Sequence, residues 1–164
     1  MLSAVNRNGA DGDCRAALAD TCSRVSIEVT QLRVLILCTG NSARSQMAEG
    51  LLRHMAGSKF EVSSAGTRPV GLNPNAVQVM AELGIDISSH RSKSVEEFVG
   101  QPFDYVVTVC DDARESCPVF PGTGKSLHHS FQDPAALPPD QQLGAFRKVR
   151  DEIASWLREF VRDH

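Results

Sequence analysis

The sequence predicts an α/β fold: a three-layer sandwich with a four-stranded parallel sheet, helices on both faces, and a phosphate-binding loop after the first strand. Three observations carry that expectation. The aliphatic run Leu32–Leu37 reads as a buried strand that leads through a loop of small residues into a helical pattern. Strand-like and helix-like segments then alternate, which implies parallel pairing through right-handed crossovers. The chain finishes on a long amphipathic helix, with Leu143, Phe146, Val149, Ile153, Trp156, Leu157 and Phe160 at helical spacing between charged residues.

Taken in order, residues 1–30 read as a weakly structured extension. Asn6-Arg7-Asn8-Gly9-Ala10-Asp11-Gly12-Asp13 is polar and turn-rich, and Cys14–Val25 offers only a thin apolar stripe through Ala16, Leu18 and Cys22. The domain is expected over 31–164. Its first helix carries Met47, Leu51, Leu52 and Met55 on one face, and Phe60–Ser63 reads as the second strand. Asn73-Pro74 has the form of an N-cap followed by proline at the first helical position, opening a helix over Asn75–Leu83 that stops at Gly84. Ser94-Val95-Glu96-Glu97 has capping-box spacing and predicts a short helix. Tyr105–Cys110 is the third strand, and a shorter fourth is expected near Ser126–His129.

Composition narrows the function. With 17 basic against 20 acidic side chains the net charge is −3, so no broad basic field exists to hold nucleic acid or an anionic membrane. The longest aliphatic run, Val34-Leu35-Ile36-Leu37, is too short to span a bilayer, and charges at Arg7, Asp11, Asp13 and Arg15 interrupt any signal-peptide core. Any bound anion must therefore be held by a local site. The five cysteines (Cys14, Cys22, Cys38, Cys110 and Cys117) are odd in number and unevenly spaced. That pattern argues for reactive or buried thiols in a reducing cytoplasm over a disulfide scaffold.

The local site is expected at Cys38-Thr39-Gly40-Asn41-Ser42-Ala43-Arg44-Ser45. In open α/β sheets, ligands bind beyond the carboxyl ends of the strands, where this loop sits. Small residues let Thr39, Gly40, Asn41, Ser42, Ala43 and Ser45 turn successive backbone N–H groups toward a tetrahedral oxyanion. The helix N-terminus adds positive partial charge, and the planar fork of Arg44 grips two oxygens. The same field favours a thiolate at Cys38, so a lowered pKa is expected there.

The run Cys38–Gly50 resembles the signature of arsenate reductases built on the low-molecular-weight protein tyrosine phosphatase fold. The resemblance runs from about Val34 to Arg162. It includes Ser63-Ser64-Ala65-Gly66, Gly84-Ile85-Asp86-Ile87-Ser88, Val107-Thr108-Val109-Cys110-Asp111, Asp133-Pro134-Ala135 and Arg150-Asp151-Glu152-Ile153. It implies a relay of three thiols: Cys38 as the nucleophile on arsenate, with Cys110 and Cys117 as a redox pair. It also implies Asp133 as general acid and thioredoxin as external reductant, with no bound cofactor and no metal. If residues 111–117 were helical, Cys110 and Cys117 would lie about 10 Å apart along the axis. A disulfide needs Cα atoms within roughly 7 Å, so oxidation should unwind the segment.

Two departures from the pattern matter. Ala43 stands where many relatives have another cysteine, so that position cannot be essential to a relay here. Some relatives hold potassium beside the loop through an asparagine, a glutamate, a serine and an aspartate. Asn41, Glu49 and Ser64 match, but Lys93 takes the aspartate's place, and a protein independent of potassium is expected. His90, His128 and His129 read as structural histidines, Asp111-Asp112 as a solvated loop or helix cap, and Cys14 and Cys22 are given no catalytic role. Two other classes of function stay open. A phosphotyrosine phosphatase would use Cys38, Arg44 and Asp133, although Ala135-Ala136-Leu137 lacks the aromatic residues such enzymes usually carry after Asp-Pro. A non-enzymatic oxyanion-binding or redox-sensing module would need no turnover.

Overall fold

The computed structural model describes residues 28–120, 122 and 124–164, so the extension with Cys14 and Cys22 lies outside the described residues apart from 28–30. Four strands, β1 (Leu32–Cys38), β2 (Phe60–Gly66), β3 (Tyr105–Thr108) and β4 (Lys125–His128), form one sheet in the order β2-β1-β3-β4. Every pairing is parallel. Four α-helices connect and follow them: α1 (Arg44–Ala56), α2 (Pro74–Ala81), α3 (Asp111–Glu115) and α4 (Pro139–Asp163). Short 3-10 turns lie at Val95–Phe98 and Pro134–Ala136.

Successive side chains of a strand point to opposite faces of its sheet. Val34, Leu35, Ile36 and Leu37 are all at most 1% exposed, so both faces of β1 are covered and the three-layer expectation holds. Met47, Leu51 and Leu52 of α1 and Phe146, Val149, Ile153, Leu157 and Phe160 of α4 fill the same core, as their spacing predicts. α4 packs against α1 and α2.

The chain leaves β1 toward β2 on one side and returns to β3 on the other. The loops after β1 and β3 therefore diverge at the point where the strand order reverses, which opens a crevice at the carboxyl edge of the sheet. Cys38 closes β1 and Cys110 follows β3, so both reach this edge.

Several boundaries differ from expectation. β2 runs on to Gly66 because Ser64, Ala65 and Gly66 pair with Ile36, Leu37 and Cys38. Gly66 has to be glycine: a Cβ there would stand 2.6 Å from the Thr39 carbonyl oxygen and 2.9 Å from the Asn41 nitrogen. β3 stops at Thr108, two residues early, and α3 ends at Glu115 rather than running to 117. α2 starts on the predicted cap, with Asn75 N donating to Asn73 Oδ1 at 2.9 Å, but ends at Ala81. α4 begins at Pro139, before its apolar periodicity starts, because proline at the first position needs no hydrogen-bond partner for the N–H it lacks. No helix among the described residues is long and apolar enough to cross a membrane.

Candidate active site

β1 delivers Cys38 to the crevice at 3% exposure, and the chain turns at once into α1. The turn depends on Asn41, whose φ of +44° lies in the left-handed region that asparagine tolerates better than most residues. Its buried side chain is bonded throughout. Nδ2 donates to Ser45 Oγ and to Ser64 Oγ, each at 2.9 Å, while Oδ1 accepts from Gln46 Nε2 at 3.0 Å and from Lys93 N at 2.8 Å. The Asn41 carbonyl accepts from Ser92 Oγ at 2.6 Å and from Gln46 Nε2 at 3.1 Å. Left-handed backbone in a non-glycine residue costs of order 1–3 kcal/mol, and these bonds hold it in place.

A cavity of about 410 Å³ opens over the loop, lined by Cys38, Thr39, Gly40, Ser42, Ala43 and Arg44, with Arg68, Val70, Asp133 and Ala135 on its rim. Asn41 and Ser45, which the sequence reading grouped with the ligand-facing residues, lie beneath it with side chains turned inward. Arg44 is oriented from two sides: Nη1 donates to the Phe131 carbonyl at 3.0 Å and Nη2 stands 3.5 Å from Asp133 Oδ2. Asp133 caps the 3-10 turn at 134–136 through Oδ1, which accepts from Ala135 N at 3.0 Å, so its other oxygen stays toward the cavity.

Cys110 reaches the same loop from β3. Thr39 Oγ1 is 3.3 Å from Cys110 Sγ, and Cys38 and Cys110 are near enough for each thiol to shift the titration of the other. This pairing corrects the expectation for Cys38. Its pKa is raised, first by the bond to Cys110 and then by burial, against the lowering effect of Arg44. Cys110 instead is held down at about 5, by the Cys38 bond first, then by Thr39 and by the Ala113 N–H at the start of α3, against its own burial. The two thiols therefore titrate as a pair, the proton on one favouring the thiolate of the other. Cys117 lies beyond α3, half-buried and free, and burial raises its pKa. All three thiols are unbridged.

Residues 33–163 match the family described as low molecular weight phosphotyrosine protein phosphatase. The chain belongs to this family. Within it, the arsenate reductase of Bacillus subtilis (strain 168) is 45% identical over 130 residues, which cover 78% of this chain and 94% of that protein. Among solved structures, an arsenate reductase in its phosphate-binding state is similar with a TM-score of 0.66 and 30% identity, over 81% of this chain and 98% of that chain. A thioredoxin-dependent arsenate reductase from Corynebacterium glutamicum gives 0.63 and 31%, over 81% of this chain and 60% of that chain.

An alkali cation beside the loop does not fit this member of the phosphatase family. The buried Glu49 carboxylate is already matched by two cations: Arg53 Nη2 is 2.7 Å from Oε1 and Lys93 Nζ is 3.5 Å from Oε2. Ser64 donates to the same Oε2, and Lys93 Nζ also donates to the Arg91 carbonyl at 3.2 Å. The histidines are engaged elsewhere. His90 Nδ1 is 3.0 Å from Gln46 Oε1, His128 bridges Thr108 Oγ1 and Asp111 Oδ1, and His129 packs against Phe131 and Trp156. Asp111 opens α3 while bonded to His128 and Ser130, so it joins the segment after β3 to the end of β4.

Arg68 and Val70 were missed from sequence, whereas Ala135, singled out as a small residue after Asp-Pro, does line the cavity. A signal for the two that were missed was available: parallel pairing of β1 and β2 carries on past Cys38 and Gly66. Thr67, Arg68 and Val70 donate their N–H groups to the carbonyls of Cys38, Thr39 and Gly40 at 3.2, 2.9 and 3.1 Å. Residues just after β2 must therefore border the loop.

Proposed function

We propose that this protein reduces arsenate to arsenite through a relay of Cys38, Cys110 and Cys117, with thioredoxin restoring the thiols. The nearness of a second thiol, Cys110, to Cys38 and Thr39 of an oxyanion cavity carries this reading, because hydrolysis at such a loop needs only one thiol. The cavity lining adds support: it contains no aromatic side chain to flank an aryl phosphate, and suits a small tetrahedral anion. The relatives named above are arsenate reductases, one of them thioredoxin-dependent.

Arsenate binds with its oxygens on the loop N–H groups of 39–45 and on Arg44. As Cys38 attacks arsenic, its proton passes to Cys110. Asp133 protonates the departing oxygen, so a sulfur–arsenic bond replaces a sulfur–hydrogen bond and water leaves; no electrons have moved. Cys110 then gives the proton it received to an arsenic-bound oxygen and attacks Cys38 Sγ as the thiolate. A Cys38–Cys110 disulfide forms, the sulfur–arsenic electron pair passes to arsenic, and arsenite departs after taking up protons. Cys117 attacks Cys110 Sγ and frees Cys38. α3 stands between Cys110 and Cys117 and must unwind for that step, which also draws Cys117 out of the burial that keeps it protonated. A dithiol reductant finally exchanges with the Cys110–Cys117 disulfide. Free thiols with these duties suit the cytoplasm.

The deciding experiment is arsenate-dependent oxidation of NADPH in the presence of thioredoxin and its reductase. Turnover that requires Cys117 supports the relay. Efficient hydrolysis of aryl phosphates without arsenate turnover would make the protein a phosphatase instead. Lys93 in the Glu49 cluster supports the further reading that potassium gives no activation over sodium.

A further inference from the structure

The cavity holds one charged residue that the relay leaves unused. Arg68 lines its rim, and its side chain is exposed. Its backbone is fixed by the bond from Arg68 N to the Thr39 carbonyl at 2.9 Å, one step along the ladder that ties 67–70 to the loop. Among the described residues its guanidinium makes no ion pair and no side-chain hydrogen bond. Two carboxylates are within its neighbourhood, and neither takes it. Asp133 is committed to Arg44 and to the Ala135 N–H. Glu96 shares a second groove with Arg68, together with Thr67, Val95, Val99, Ser116 and Pro118, and forms no ion pair there.

The charges of the site have an asymmetry that follows from this. Asp133 offsets much of the charge of Arg44, yet arsenate near neutral pH is chiefly a dianion. An unpaired guanidinium on a pinned backbone beside the same loop supplies the missing charge. Placing two arginines around one cavity costs repulsion unless an anion comes between them. A cation at the mouth of a cavity also raises the encounter rate of anions, in a way that salt weakens.

We propose that Arg68 is a substrate-binding residue: a second guanidinium that takes the outward-facing oxygens of the tetrahedral dianion while the loop and Arg44 hold the inner ones. The identity of that dianion as arsenate rests on the reading above, whereas the binding role does not.

The test is calorimetric titration of Arg68→Lys, Arg68→Gln and Arg68→Glu with arsenate and with inorganic phosphate at two ionic strengths, alongside steady-state arsenate kinetics. Weakening should follow charge. Lysine should stay within about threefold of wild type, glutamine should lose roughly tenfold, and glutamate should lose more. KM for arsenate should rise in step with little change in kcat, and the salt dependence of Kd should be shallower in Arg68→Gln. Thermal unfolding should be unchanged, since the side chain is exposed and makes no ion pair or hydrogen bond among the described residues. Wild-type affinity and salt dependence in Arg68→Gln would overturn the proposal, as would equal losses in all three variants. The two readings separate cleanly. A wild-type protein that binds both anions with this charge order but does not reduce arsenate overturns the reductase reading alone. Arsenate turnover with no effect of Arg68→Gln on binding overturns only the role of Arg68.

Discussion

The loop at 38–45 and the segment at 110–117 meet at one sheet edge, yet they are built in opposite ways. The loop is braced by a buried polar network in which every hydrogen-bonding group of the Asn41 side chain has a partner. The segment after β3 holds a five-residue helix, an exposed Asp111 bonded to His128, and a Cys117 whose one side-chain bond among the described residues is a 3.4 Å contact to the Pro118 carbonyl. The difference matches the proposed duties. An anion cradle stabilises charge only if its dipoles are already aligned, so its order is set before substrate arrives. A Cys110–Cys117 pair separated by a helix would have to change shape to close, so its order has to be easily given up.

The largest expected effect tests the segment after β3. Cys117→Ser should lose steady-state turnover with thioredoxin while one equivalent of arsenite is still released in a single turnover, trapping a Cys38–Cys110 disulfide visible by mass under non-reducing conditions. Undiminished steady-state turnover would remove Cys117 from the relay. On the braced side, Asn41→Ala removes the donor to the hydroxyl oxygens of Ser45 and Ser64 and the side chain that holds the left-handed turn. A loss of about 2–4 kcal/mol in urea unfolding is expected, together with loss of oxyanion binding. A variant that kept both would show that the network does not shape the loop.

A third outcome sharpens the link between the two regions. With Cys110 held at about 5, its thiolate persists to well below neutral pH, so its alkylation should rise through that value and be nearly flat by pH 7. Cys38 should react only in alkaline solution, because the bond to Cys110 and burial both favour its protonated form. Cys110→Ala removes the larger of those effects and leaves Arg44 and the Thr39 N–H, which lower the pKa, so the Cys38 profile should move to lower pH. No movement would mean that burial alone sets Cys38. The smallest effect concerns the loop's flank: potassium and sodium at matched ionic strength should give equal arsenate turnover, and Lys93→Asp should create a preference for potassium. Strong activation of the wild type would contradict the tethered ammonium.

The sequence reached the α/β class, the parallel sheet and the loop from Cys38 to Arg44, because those depend on short-range pattern: buried strand, small residues, helix start. Element ends were less legible. β2 extends through Ser64-Ala65-Gly66 because it has a partner in β1, and no local propensity announces that pairing. The cap at Asn73 was readable, whereas the early end of α3 was not, since nothing between Asp111 and Cys117 breaks a helix by itself.

For the site, the sequence by itself determined the anion loop, the identity of three thiols worth following, and the replacement of an aspartate by Lys93. Tertiary structure decided how their charges settle. A lowered pKa at Cys38 follows from its own loop and helix, but a cysteine 72 positions later, brought alongside by parallel pairing of β1 and β3, pushes it up and is itself held down. Arg68 likewise is an ordinary surface arginine until the β1–β2 register sets it at the rim. Pattern travels along a chain for a few residues, while electrostatic energy depends on distance in space, and only the fold supplies that distance.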